Sequence, residues 1–185
     1  VTDETGNAPE EERPGAGDED AAALRDRFGE AALGVRVHCG QITVEIRSSA
    51  LLETARFLRD ERGFSMLSFL AGVDCLELPV PYRFKVAYAL LDLDRAQRLR
   101  LEVACEDDLE PRLPSVCGVW PGAAPHESEA YDLVGIVFEG NENLERIFTP
   151  EGFEGFPHRK DFDISAEPVA FSFRDTPEGK PEASD

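Results

Sequence analysis

Three carboxylates crowd into the run Glu127-Ser128-Glu129-Ala130-Tyr131-Asp132-Leu133. Like charges held together raise a carboxyl pKa toward proton transfer, and converging oxygens attract hard cations, so Glu127, Glu129 and Asp132 are candidates for either chemistry. At helical spacing, however, Glu127 and Tyr131 share a face while Glu129 and Asp132 lie three apart. That is equally an ordinary polar surface that meets Arg or Lys of a partner, and since charged side chains are mostly exposed, docking is the favoured reading. A second cluster, Arg159-Lys160-Asp161 between Phe156 and Phe162, joins two cations and an acid to apolar rings. Such a mixture suits an interface, although a solvated turn would carry the same residues.

Other reactive side chains are scattered. His38, His126 and His158 have no paired ligand spacing, Ser115 and Ser128 belong to no nucleophile arrangement, and Cys39, Cys75, Cys105 and Cys117 form no Cys-x-x-Cys. The thiols are expected to be reduced and mostly buried, with no zinc or iron–sulfur site. No G-x-G-x-x-G or phosphate-binding loop is present, so no flavin or nicotinamide site is expected in the chain. Gly135, Gly140, Gly152 and Gly155 read as turns and close backbone contacts. Trp120 and Tyr131 fit an interface or the core equally well.

The elements that must position these residues follow from patterning. Asp18 to Ala32 favours a helix with acids at its positive end. Val35–His38 and Gln41–Ile46 alternate around Cys39-Gly40 as a hairpin. Ser48 or Ser49 is placed to cap a helix with Leu51, Ala55 and Leu58 on one face and Gly63 at its end. Residues 64–76 read as a largely buried strand, residues 78–81 as an edge loop, and residues 83–93 and 98–106 as strands joined through Asp94–Gln97. Pro111, Pro114, Pro121 and Pro125 punctuate the approach to a helix over His126–Leu133. The order predicts an α+β fold: a two-layer domain with helices packed on a mixed β-sheet, over residues 19–148, plus an extended C-terminal arm and tail over 149–185.

The 185 residues carry a net charge of -19, which argues against nucleic acid and anionic lipid as partners. Residues 1–18, rich in acids, Pro and Gly, are expected to be a disordered acidic tail. No stretch approaches the roughly 18 apolar residues of a membrane span, and the N-terminal residues lack a signal-peptide pattern, so a cytoplasmic chain is expected.

Glu127–Leu133 together with Gly155-Phe156-Pro157-His158-Arg159-Lys160-Asp161-Phe162 resembles the signature of the 30 kDa subunit of respiratory complex I, the proton-pumping NADH:quinone oxidoreductase. Ser115-Val116-Cys117-Gly118-Val119-Trp120 and Leu70-Ala71-Gly72-Val73-Asp74 are similar to upstream elements of that family, and the likeness covers most of residues 35–165. Three positions depart from it. Ser128, Asn141 and Glu145 stand where the family usually has basic or potentially basic groups, although Arg146 is kept.

The resemblance implies a scaffold without an active site of its own, peripheral on the cytoplasmic side of a bacterial plasma membrane. Flavin and iron–sulfur clusters would sit in partner subunits, and this chain would dock the 49 kDa-type subunit and its iron–sulfur neighbours. The expected docking residues are Glu127, Glu129, Tyr131, Asp132, Arg146, Phe156, Arg159, Lys160, Asp161 and Phe162. An equivalent subunit of a membrane-bound hydrogenase or ferredoxin-fed complex, or a free-standing interaction module, are the alternatives.

Overall fold

The computed structural model describes residues 18–163. The expectations for residues 1–17 and for 164–185 fall outside the described residues.

Five strands form one mixed sheet in the order β1-β2-β5-β4-β3. They are β1 (Ala32–His38), β2 (Gln41–Ile46), β3 (Met66–Asp74), β4 (Phe84–Asp92) and β5 (Gln97–Ala104). The predicted hairpin is present: β1 and β2 pair antiparallel through His38 and Gln41. Cys39 and Gly40 turn between them with φ of 50° and 72°. A tight turn with two successive left-handed residues matches the right-handed twist of the flanking strands. β2 then pairs parallel with β5, β5 antiparallel with β4, and β4 antiparallel with β3.

Register decides which side chains form the core, because directly paired residues share a face. Ile42, Val44 and Ile46 stand opposite Leu99, Leu101 and Val103. Those in turn oppose Leu90, Tyr88 and Val86, and the row ends on β3 with Leu67, Leu70 and Gly72. The helices α1 (Asp18–Phe28), α2 (Leu51–Asp60) and α3 (Ala123–Val134) add Leu24, Leu51, Ala55, Leu58, Ala130 and Val134 to the same core cluster. This is the two-layer α+β architecture. Gly72 admits α3 closely: a Cβ there would lie 3.0 Å from Ile136 Cδ1 and 3.3 Å from Ala130 Cβ.

Four local expectations are corrected. The first helix stops at Phe28, short of the predicted Ala32, because Gly29 takes φ 50° and opens a short 3-10 turn into β1. Neither Ser48 nor Ser49 caps α2; a 3-10 turn precedes the helix, and the Ser48 hydroxyl binds Glu106 instead. Glu102, which alternates with the apolar Leu101 and Val103 and by that pattern belongs on the wet face of β5, is 7 % exposed, with Arg36 and Lys85 donating to its Oε2. Finally, β6 (Arg112–Pro114) and β7 (Val137–Glu139) form a parallel pair that patterning does not predict. Three-residue strands are too short to show alternation, and Pro111 and Pro114 speak against a strand.

Candidate functional site

The chemistry-bearing residues lie where α3 meets the loop before it and the irregular segment after β7. α3 begins after Pro121-Gly122 and carries Pro125 in its first turn, where no helical N–H is required. It ends at Gly135, whose φ of 83° lets its N–H bond Ala130 O and Tyr131 O. A Cβ at Gly135 would come within 2.6 Å of Arg159 Nη2 and 2.7 Å of the Phe156 ring. The same glycine therefore ends the helix and seats the C-terminal arm.

The three carboxylates do not converge. Glu127 is fully buried. Its Oε1 accepts the Val116 N–H at 2.8 Å, and its Oε2 accepts Ser115 Oγ at 2.8 Å, Asn141 Nδ2 at 3.0 Å and Cys117 Sγ at 3.2 Å. Donors from two loops thus satisfy one buried carboxyl group. Burial pushes the Cys117 thiol up to about 11, with the Glu127 carboxylate adding to the shift. Burial likewise raises the Tyr88 phenol well above its ordinary value. Glu129 is half-buried beside His126, with 4.0 Å between Oε2 and Nδ1. Among the described residues no three His, Cys, Asp or Glu side chains converge as metal ligands.

Asp132, also fully buried, binds the loop that follows β7. Its Oδ2 accepts three successive amides, Ile147 at 3.0 Å, Phe148 at 2.7 Å and Thr149 at 2.9 Å. Its Oδ1 accepts the Thr149 hydroxyl and lies 3.5 Å from Arg146 Nη1. Burial alone would raise this carboxyl; the hydrogen bonds from Thr149, Phe148 and Ile147 overcome it and hold the group below the usual carboxylate range.

A second clamp joins parts of the chain far apart in sequence. Asp74, at the end of β3, accepts Lys160 N–H at 2.9 Å, Leu76 N–H at 3.0 Å and Arg83 Nη2 at 3.2 Å. Burial opposes its ionisation, but these donors hold its pKa low. Arg83 also reaches Asp161 at 2.6 Å. Arg159 is turned inward: Nε donates to Val134 O at 2.7 Å, and the guanidinium lies 4.4 Å from the Phe156 ring centre and 4.8 Å from that of Phe84. Burial and the neighbouring Arg83 lower its pKa. Arg146 donates to Gly155 O at 3.2 Å and stands over Phe156, while Phe162 stacks on Phe153.

The structure therefore divides the expected docking residues. Glu127, Asp132, Arg146, Phe156 and Arg159 are spent on the chain's own loops, and Phe162 packs within the arm. Lys160 is exposed and its ammonium has no partner among the described residues; the Asp161 side chain is 51 % exposed; Glu129 and Tyr131 are half-buried. The two cations of the Arg159-Lys160-Asp161 cluster do not act as one group, since Arg159 is turned under the arm while the Lys160 side chain is exposed. Trp120 belongs to the core, 3 % exposed, with Nε1 donating to Phe64 O at 3.0 Å. Asp74 and Arg83 anchor the arm without having been expected to. Asp74 is visible within the Leu70–Asp74 element, but nothing local pairs it with Lys160.

Residues 44–168 match the family described as respiratory-chain NADH dehydrogenase, 30 Kd subunit. The chain belongs to that family. A relative from Roseiflexus sp. (strain RS-1), itself a subunit of an NADH-quinone oxidoreductase, is 43 % identical over 152 residues, covering 81 % of this chain and 86 % of the relative. The trypsin-resistant fragment of Nqo5 superposes with a TM-score of 0.60 at 30 % identity, covering 66 % of this chain and 97 % of the fragment. A chain of the membrane-bound sulfane sulfur reductase, an archaeal respiratory membrane complex, shares the fold with a TM-score of 0.67 at 24 % identity, over 81 % of this chain and 87 % of its own. The 30 kDa-subunit match spans both clamps: Asp74, Glu127, Asp132 and Lys160 all lie within it. No helix among the described residues is long and apolar enough to cross a membrane.

Proposed function

We propose that the chain is a non-catalytic scaffold of the peripheral arm of a proton-translocating NADH:quinone oxidoreductase. It docks the 49 kDa-type subunit and neighbouring iron–sulfur subunits on the cytoplasmic side of a bacterial plasma membrane. The observation that supports this reading is the use made of the buried charges. Asp132 accepts three successive backbone amides of the segment between β7 and residue 163, and Asp74 accepts a fourth, that of Lys160, beside its bonds from Leu76 N–H and Arg83. A carboxylate saturated by fixed donors is a poor proton carrier and a poor metal ligand, but it holds an otherwise irregular segment in one conformation.

In this reading flavin and iron–sulfur clusters belong to the partners, and the chain contributes to turnover through geometry. Electron transfer to quinone requires the partner subunits in fixed register, so loss of the scaffold stops flow without removing a reacting group. The test is native co-purification of the tagged full-length chain from cells that make the complete oxidoreductase. The expected result is recovery with flavin-, iron–sulfur- and 49 kDa-type subunits in fixed ratio. A monomer recovered without them would overturn the reading.

A further inference from the structure

The Asp132 clamp does something that the fold itself does not require. By binding the amides of Ile147, Phe148 and Thr149 in succession, it fixes a loop from which Ile147 and Phe148 project, 46 % and 63 % exposed. Adjacent large apolar side chains in water, held out by a fully buried carboxylate, are the pattern of an interaction surface rather than of an incidental exposed residue.

The surroundings specify the partner's chemistry. Glu142, Glu145, Glu151 and Glu154 are exposed on either side of the pair in sequence, and none has a hydrogen-bond or ion-pair partner among the described residues. Arg146, the one cation between Glu139 and Pro157, is directed away, to Asp132, Thr149, Gly155 O and the Phe156 ring. The loop thus presents an apolar pair among uncompensated carboxylates. A second copy would bring the same carboxylates to the contact, and an anionic membrane surface would repel them.

We propose that Ile147 and Phe148 are the apolar anchor of a docking loop, whose occupant is a partner protein with an apolar pocket rimmed by Lys and Arg. This rests on the reading of the chain as a subunit of a larger assembly and names the chemistry of one contact within it. The rim carboxylates accelerate encounter with the basic partner, and the anchor slows dissociation.

The experiment uses the full-length chain in cells that make the remaining oxidoreductase subunits, with recovery of the chain in the assembled complex as readout. I147S/F148S and the charge reversal E142K/E145K/E151K/E154K are each expected to lower recovery at least about tenfold. The thermal unfolding midpoint of the isolated I147S/F148S chain should match the parent, because both side chains are exposed. A photo-reactive benzoylphenylalanine at position 148 should cross-link to a segment of another subunit that carries Lys or Arg. Parent-level recovery of both variants overturns the anchor while leaving the subunit reading in place; so does a cross-link to lipid, to a second copy or within the chain itself. Failure of the parent chain to assemble overturns both.

Discussion

Replacing Asp132 by Ala removes one acceptor set shared by three amides, a hydroxyl and a guanidinium. A hydrogen bond to a charged group contributes about 1.5–3 kcal/mol, but Ile147 and Phe148 are exposed enough for water to replace part of the loss. The bonds also act on one short segment, so their contributions overlap. A net loss of about 3 kcal/mol of local stability is therefore expected, which corresponds to a roughly 100-fold larger population of the open loop and correspondingly faster amide exchange. Amide hydrogen exchange resolved to residues 147–149 reads this directly, with the β4 and β5 amides as internal reference. The parent chain should show the same loosening in acid. Because the folded carboxyl is held below its unfolded value of about 3.9, its contribution is complete above about pH 4 and is lost as pH falls through the folded pKa. Unchanged exchange at residues 147–149 in D132A would refute the clamp.

Gly135→Ala is expected to destabilise by about 2–4 kcal/mol in chemical denaturation, from the left-handed φ and from the contact with Arg159 and Phe156. Arg159→Ala should cost about 2 kcal/mol through loss of the Val134 carbonyl bond and the Phe84 and Phe156 ring contacts, whereas Lys160→Ala should unfold like the parent. Equal effects would mean that the inward and outward assignments are wrong. In thiol alkylation at about pH 8, exposed Cys39 should react first. Cys117 and Cys105, raised by burial to about 11 and about 12, should react only in alkali or denaturant; mass mapping of the modified peptides checks the order.

Where periodicity is strong the sequence is a good guide. Leu99, Leu101 and Val103 alternate with polar residues, and β5 follows that pattern except at Glu102, which is buried with its cationic partners; Cys39-Gly40 marks the hairpin turn as expected. The site is legible as a set of residues but not as an arrangement. Glu127 and Glu129 are the same residue type two positions apart, yet one is buried and the other partly exposed, because only Glu127 faces the amide and hydroxyl donors of the Ser115–Cys117 loop. Carboxylates read as surface groups since most are, and a buried one betrays itself only through partners that folding brings near. Lys160 N and Asp74 are 86 residues apart, a separation at which no local pattern operates. Arg159 escapes prediction for a related reason: the rings that receive it include Phe84, on β4, whose proximity depends on the whole sheet order.

The proposed scaffold role requires the chain to work without any cofactor of its own. The most direct test is reconstitution of NADH-driven quinone reduction in preparations lacking this chain, by adding back chain refolded without flavin, iron or sulfide. Quinone reduction should be absent before addition and return with the cofactor-free chain as the peripheral arm assembles. Restoration only by chain loaded with a flavin or metal, or full quinone reduction in its absence, would contradict the scaffold role.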